Sequence, residues 1–310
     1  MESWLTGKEL SRRPGTVRSY RRMAEKDILP VLGKMRMQNI LPSHIKQLYA
    51  LMSTDGKGAR TIQLLHIVFH GAFKQAVKEG QIGRSPMDAV ERPRVETAEY
   101  QILTEEQARQ FLMAATESPY ETLFYLALTS GMRKGELLGL KWSDLDRERG
   151  IVLVQRQHQR VGWNGAFLVP PKTKAGHRQI KLGQVALAQL EVHQQRQELQ
   201  RVAAGDRWQE NGMIFTSSIG TYPDQTKVTR EFKRLLKQAG LPDIRFHDLR
   251  QTSISILLES GAPVNTVQKR VGHSKASVTD DIYGHVMARS QDEAAQKIEE
   301  IMTPLTIDLQ

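Results

Sequence analysis

FHDLRQTSISILLESGAPVNTVQKRVGHS, residues 246–274, reads as two helical stretches, 247–260 and 264–271, with Gly261 and Pro263 as the stop and restart between them. In the first, His247 and Arg250 stand three residues apart and share a face, while Leu249 turns away toward a core it would share with Ile256. Such a pair on its own is more often a capping or surface feature. The second stretch runs into Gly272-His273, and ten residues beyond that histidine lies Tyr283, within Asp281-Ile282-Tyr283-Gly284-His285 of a further helical stretch, 277–287. A solitary tyrosine there is ordinarily a core or interface aromatic with a wet hydroxyl. Ser290 and Glu293 then cap a last short helix, 290–302, with Ala294, Ile298 and Ile301 along one side.

Upstream, helical spacing covers 226–239 and 184–203, and Pro242 punctuates the approach to His247. Residues 150–182 change period. Ile151 and Leu153 suggest one strand, 166–169 a second across a tight turn at Asn164-Gly165, and 178–182 a third after a loop at Lys174-Ala175-Gly176. Lys172, in Pro171-Lys172-Thr173-Lys174, lies at the hairpin edge, where a lysine often only discourages edge pairing. Earlier still, a helix over 120–130 reaches a C-cap at Gly131, and Arg133 opens the next one, beside backbone N–H donors. Thr104 followed by Gln107 has capping-box spacing.

The N-terminal part is all-helical, with expected helices over 13–30, 43–53 and 59–79. The last carries Ile62, Leu65, Phe69, Phe73 and Ala76 at helical spacing before Gly80. It is also where the charge sits. Of 310 residues, 44 are Lys or Arg and 34 Asp or Glu, a net charge of +10; residues 1–94 hold 17 bases and 8 acids, leaving +9 there and +1 elsewhere. A basic module suits a polyanion, and Arg18, Arg21, Arg22, Arg60, Lys74 and Lys174 are the candidate phosphate contacts. The expected organisation is a helical domain at 1–84, a linker at 85–102 with Pro86 and Pro93, a mixed domain at 103–289 and a tail at 290–310.

Several classes fall away. Cysteine is absent, which excludes disulfides and thiolate metal sites. No apolar run could span a bilayer and no secretory signal opens the chain, so a cytoplasmic, nucleoid-associated protein with no membrane partner is the default. There is no G-x-S-x-G elbow and no G-x-x-x-x-G-K-[ST] loop.

The order Arg, Lys, His-x-x-Arg, Gly-His, Tyr, set within TSGMRKGELLGLKWSDLD, PPKTKAGHRQIKL, FHDLRQTSISILLESGAPVNTVQKRVGHS and SVTDDIYGHV, resembles the tyrosine recombinase (phage integrase) family. The resemblance runs through essentially the whole chain. It implies a mainly α fold with a small β-sheet, a helical core-site-binding domain and an α+β catalytic domain, the two forming a C-shaped clamp on DNA. It implies a site-specific recombinase that cuts and rejoins DNA through a 3′-phosphotyrosine and a Holliday junction, without metal, ATP or other cofactor. PKTKAGHRQI and GMRKGELLGL favour a mobile element, phage or transposon.

Residue by residue, the resemblance makes Tyr283 the nucleophile and Arg133 and Arg250 the grip on the non-bridging oxygens. Lys172 becomes the acid for the leaving 5′-oxygen, with Lys174 the alternative, and His247 and His273 assist proton transfer. It further implies double-stranded recombination sites as partner and a homotetramer on DNA, with the tail exchanged between protomers; a tail folded back on a free monomer is the alternative. Gln251 stands where the family commonly has a basic residue. The chain begins directly with the core-binding helices, which leaves arm-site binding in doubt.

The chemistry asks for these residue types. Attack on a phosphodiester adds a second negative charge, which two guanidiniums can hold in fixed geometry. A phenol with a reference pKa near 10 needs a cationic field or a base to become a nucleophile. Two rivals remain: a metal phosphodiesterase using His247, His273 and His285, and a DNA-binding relative without catalysis.

Overall fold

The computed structural model describes residues 1–95, 101–160, 165–171 and 174–272, together with Ile298. The chain divides into two compact units, Met1–Glu99 and Tyr100–Gln310. Among the described residues no helix is long and apolar enough to cross a membrane.

The first unit is helical: α1 (Glu2–Glu9), α2 (Pro14–Met23), a π turn at Ala24–Ile28, α3 (Leu29–Leu32), α4 (Pro42–Thr54) and α5 (Ala59–Lys78). Its core is the expected stripe of α5, where Ile62, Leu65, Phe69, Phe73 and Ala76 are all buried, closed over by Ile45, Leu48, Met23 and Ile28. Helix α1 was absent from the sequence reading because only two adjacent residues, Trp4 and Leu5, are buried on it, which gives no period. Trp4 stacks on Tyr20 of α2 at 5.5 Å between ring centroids. Pro30 does not end its helix. It lacks an N–H and would crowd a carbonyl one turn earlier, and the wider π turn just before it takes up the misfit. Part of the expected linker belongs to this unit: Met87 and Val90 are buried in its core, and Gln63 Nε2 donates to the Pro93 carbonyl at 3.1 Å.

Among the described residues the second unit comprises α6 (Glu105–Ala114), α7 (Glu121–Ser130), the single turn α8 (Lys134–Leu137), five short strands, α9 (Gln184–Ala204), α10 (Gln225–Gln238), α11 (Asp248–Glu259) and α12 (Val264–Val271). The Thr104–Gln107 capping box that opens α6 is formed, each side chain bonding the other's backbone N–H. Helix α7 is buried on nearly every side, and Phe124 on it meets Phe111, Phe232 and Phe246 at 5.4–6.1 Å between centroids. Leu249 is fully buried in the same core, with Ile256 packed against it.

The strands are β1 (Leu145–Asp146), β2 (Ile151–Val154), β3 (Gln157–Arg160), β4 (Ala166–Val169) and β5 (Arg178–Lys181). Two antiparallel sheets result, ordered β1-β2-β5 and β3-β4. The expected pairing of 151–154 with 166–169 is therefore corrected: β2 pairs with β5 and β4 with β3. Strand β3, QHQR, is polar throughout and carries no alternation, so only its partner reveals it. Asn164, the stretch 277–287 and, apart from Ile298, the tail helix lie outside the described residues.

Candidate active site

Gly131 is the pivot of the site. It ends α7 with φ 63°, a left-handed conformation that L side chains resist, and a Cβ there would lie 2.9 Å from Val271 Cγ1. The chain then turns sharply into Arg133, the N-cap of α8. Three residues on, Glu136 folds back: its Oε2 accepts from the Arg133 N–H at 3.0 Å and its Oε1 from the Arg133 guanidinium at 2.8 Å. Arg133 keeps 39% of its side chain exposed while Glu136 keeps 3%. The buried carboxylate thus fixes the base of a guanidinium whose far side is open.

Arg250, one turn into α11, points at the same place. Its Nη1 donates to the Gly131 carbonyl at 2.6 Å, and its Nη2 is buried without a partner among the described residues. Burial first, and then the positive charge of Arg133, push this guanidinium down to about 9, which still leaves it charged at neutral pH. A buried cation beside a second cation, with a donor unspent, is a site short of an anion.

His247 is the N-cap of α11, one helical turn before Arg250. The residue is exposed, and the desolvation imposed by its neighbours, followed by the charges of Arg250 and Arg133, holds it below the usual histidine range, which favours the neutral form that can accept a proton. Asp248 beside it is occupied structurally, accepting from the Arg245 N–H at 2.7 Å and from its guanidinium. Gln251, at the position that departs from the family pattern, is buried with its Oε1 unpartnered.

Of the six residues expected in the site, Arg133, His247 and Arg250 converge. Lys172, His273 and Tyr283 lie outside the described residues. The described chain neighbours of Lys172 and His273 are close together: a Cβ on Gly272 would lie 2.6 Å from the Ala175 carbonyl, so the end of α12 abuts the Lys174–Gly176 turn. Two residues escaped the sequence reading. Glu136 could have been found, since it stands at capping-box distance from Arg133. Arg178, whose Nη2 donates to Glu136 Oε2 at 2.9 Å, gave no signal, because one arginine in a strand looks like any other.

Among the candidate phosphate contacts, Arg18, Arg22, Arg60 and Lys74 are exposed. Arg21 differs: its guanidinium pairs with Glu2 at 2.8 Å and Glu9 at 3.3 Å, so its charge is largely answered from α1.

The chain is similar to known proteins. A model of the "Phage integrase family" matches residues 101–289, and one of the "Phage integrase, N-terminal SAM-like domain" matches 1–52. A tyrosine recombinase XerC-like protein of Caldanaerobacter subterraneus is 29% identical, covering 97% of this chain and 82% of its own. The ICEBs1 integrase of Bacillus subtilis is 26% identical over 96% of this chain and 81% of its own. Among solved structures, the Tn1549 transposon integrase in complex with transposon right end DNA aligns with a TM-score of 0.77 at 21% identity, over 97% of this chain and 98% of that one. The lambda integrase tetramer bound to a Holliday junction aligns with a TM-score of 0.65 at 22% identity, over 88% and 77%.

Proposed function

The chain belongs to the phage integrase family, and from that premise we propose that it is a tyrosine-type site-specific recombinase of a mobile element, acting as a homotetramer on paired DNA sites. The observation that carries the reading is Arg250, held on the Gly131 carbonyl within electrostatic reach of Arg133, with its Nη2 buried and, among the described residues, unspent. A phosphodiester offers two non-bridging oxygens to such a pair. As the phosphorus becomes five-coordinate the charge on those oxygens grows, and fixed guanidiniums bind that state better than the starting one.

In this reading the Tyr283 phenol attacks the phosphorus and passes its proton to neutral His247 or His273 as the P–O bond to the 5′-oxygen breaks. That oxygen takes a proton from Lys172 and leaves as a hydroxyl, while the phosphate remains esterified to the tyrosine. Neutral His247 hydrogen-bonds a phosphoryl oxygen or accepts a proton, and His273 serves similarly. The covalent ester retains the bond energy, so a 5′-hydroxyl from a second duplex can reverse the step and join the strands. The basic N-terminal helices, through Arg18, Arg22, Arg60 and Lys74, grip phosphates beyond the cut. Two of the similar proteins are integrases of a transposon and of an ICE element, which supports the mobile-element assignment.

The test uses nicked suicide duplexes built from DNA flanking the gene. The wild-type protein is expected to form a covalent adduct at Tyr283, with full yield in excess chelator. Tyr283→Phe is expected to bind the same duplex and form none; adduct formation by that variant would refute the assignment.

A further inference from the structure

Arg178 lies on β5 at a crossing of three elements. Its side chain is 6% exposed. Nη2 donates to Glu136 Oε2 at 2.9 Å on α8, Nε to the Arg270 carbonyl at 2.7 Å near the end of α12, and Nη1 to the Gly176 carbonyl at 3.3 Å. The bond is returned from α12: Arg270 Nη1 donates to the Lys181 carbonyl at 3.0 Å, and its Nη2 to the Thr129 carbonyl at 2.9 Å on α7. Two arginines therefore lace α12 to β5 and α7 just before Gly272-His273. Gly272 completes the contact, since a Cβ there would stand 3.0 Å from Arg178 Cδ. Only a planar fork can answer a carboxylate on one side and a carbonyl on another without moving.

We propose that Arg178 is a positioning residue for strand cleavage: it anchors the Glu136 carboxylate that orients Arg133 and, through the Arg270 carbonyl, the end of α12 that leads into His273. The inference rests on the recombinase reading. Arg178 is buried beneath Glu136 and acts on the phosphate only through Arg133 and the α12 segment.

Among the described residues, Glu136 is faced by Arg133 at its own helix start, Arg178 from β5 and Arg250 from α11. Burial drives the Glu136 carboxyl up, and the Arg178 hydrogen bond and charge, followed by those of Arg133, outweigh it. Without Arg178 the balance tips toward the protonated acid, which cannot hold Arg133 as an ion pair. Loss of Arg178 should therefore add an acid-sensitive limb to cleavage, a signature that simple loosening of the fold does not produce.

The experiment is single-turnover adduct formation on the nicked duplexes, with saturating full-length protein, from pH 6.5 to 8.5. Arg178→Met is expected to bind DNA within about threefold of wild type and to cleave about tenfold more slowly at pH 8.5, the deficit deepening as the pH is lowered toward 6.5. Adding Glu136→Gln to Arg178→Met should remove the extra pH dependence. Arg178→Lys, which keeps the cation and loses the fork, should be about tenfold slow with no added slope.

Wild-type rates in either single variant, or a loss in Arg178→Met that runs parallel to wild type at every pH, would overturn the proposal. Should Arg178→Met fail to fold, Arg178→Lys decides alone by whether cleavage falls while binding holds. Absence of adduct in wild type would instead sink the recombinase reading, and this inference with it.

Discussion

At the scale of single residues, the buried charge of Arg250 works against protonation of His247. Replacing Arg250 with Lys keeps a charge but cannot both hold the Gly131 carbonyl and present a second donor. Cleavage should fall about 10²–10³-fold with DNA affinity nearly intact, read as single-turnover adduct rate against binding. The buried histidines set an acid limit on the fold. Burial holds His158, and the partly buried His193, below the value they have in an unfolded chain. As pH falls below about 6.5 the unfolded state takes up protons that the native state refuses, so stability is present above that value and lost beneath it. Thermal unfolding at constant ionic strength should therefore drop between pH 7.5 and 5.5, and His193→Gln should flatten the slope. A pH-independent midpoint would contradict this.

At the scale of elements, the turn from α7 into α8 decides where Arg133 stands. Gly131→Ala asks an L side chain to adopt φ 63° and to push into Val271. It should cost about 1–2 kcal/mol from the backbone alone, more with the clash, measured by urea unfolding. The adduct rate should fall as well, because Arg133 and the carbonyl that holds Arg250 move together.

Elements are also where the sequence is most and least legible. The capping box at Thr104, the glycine stop at Gly131 and the apolar stripe of α5 follow from local rules, because a few neighbouring residues settle them. Strand β3 does not, since QHQR becomes a strand only by pairing with β4. Helix α1 does not either, held as it is by Trp4 and Leu5 against α5 and α2 rather than by any period. In the site, Arg133, His247 and Arg250 were readable because their chemistry and order are distinctive. Arg178 was not, because its meaning comes from a carboxylate 42 residues away in the chain.

At the scale of the whole molecule, surplus charge rather than any one contact should govern affinity for duplex DNA. Residues 1–94 carry +9 of the +10. Binding should weaken linearly with the logarithm of salt, and Arg18→Ala or Arg22→Ala should each lower that slope by about 0.9. Arg21→Ala should change it much less, because Glu2 and Glu9 already answer that guanidinium. Equal slopes for all three variants would show that α1 yields its hold when DNA arrives.

One consequence of the unspent donor on Arg250 reaches beyond turnover. An idle molecule keeps a desolvated cation wanting company, so it is least robust when it has nothing to cut. Any tetrahedral oxyanion that fits between the two guanidiniums, inorganic sulfate included, would lend it endurance by mass action. The shelf life of the purified protein would then depend on the choice of buffer salt, through the same atom that is proposed to meet the phosphate.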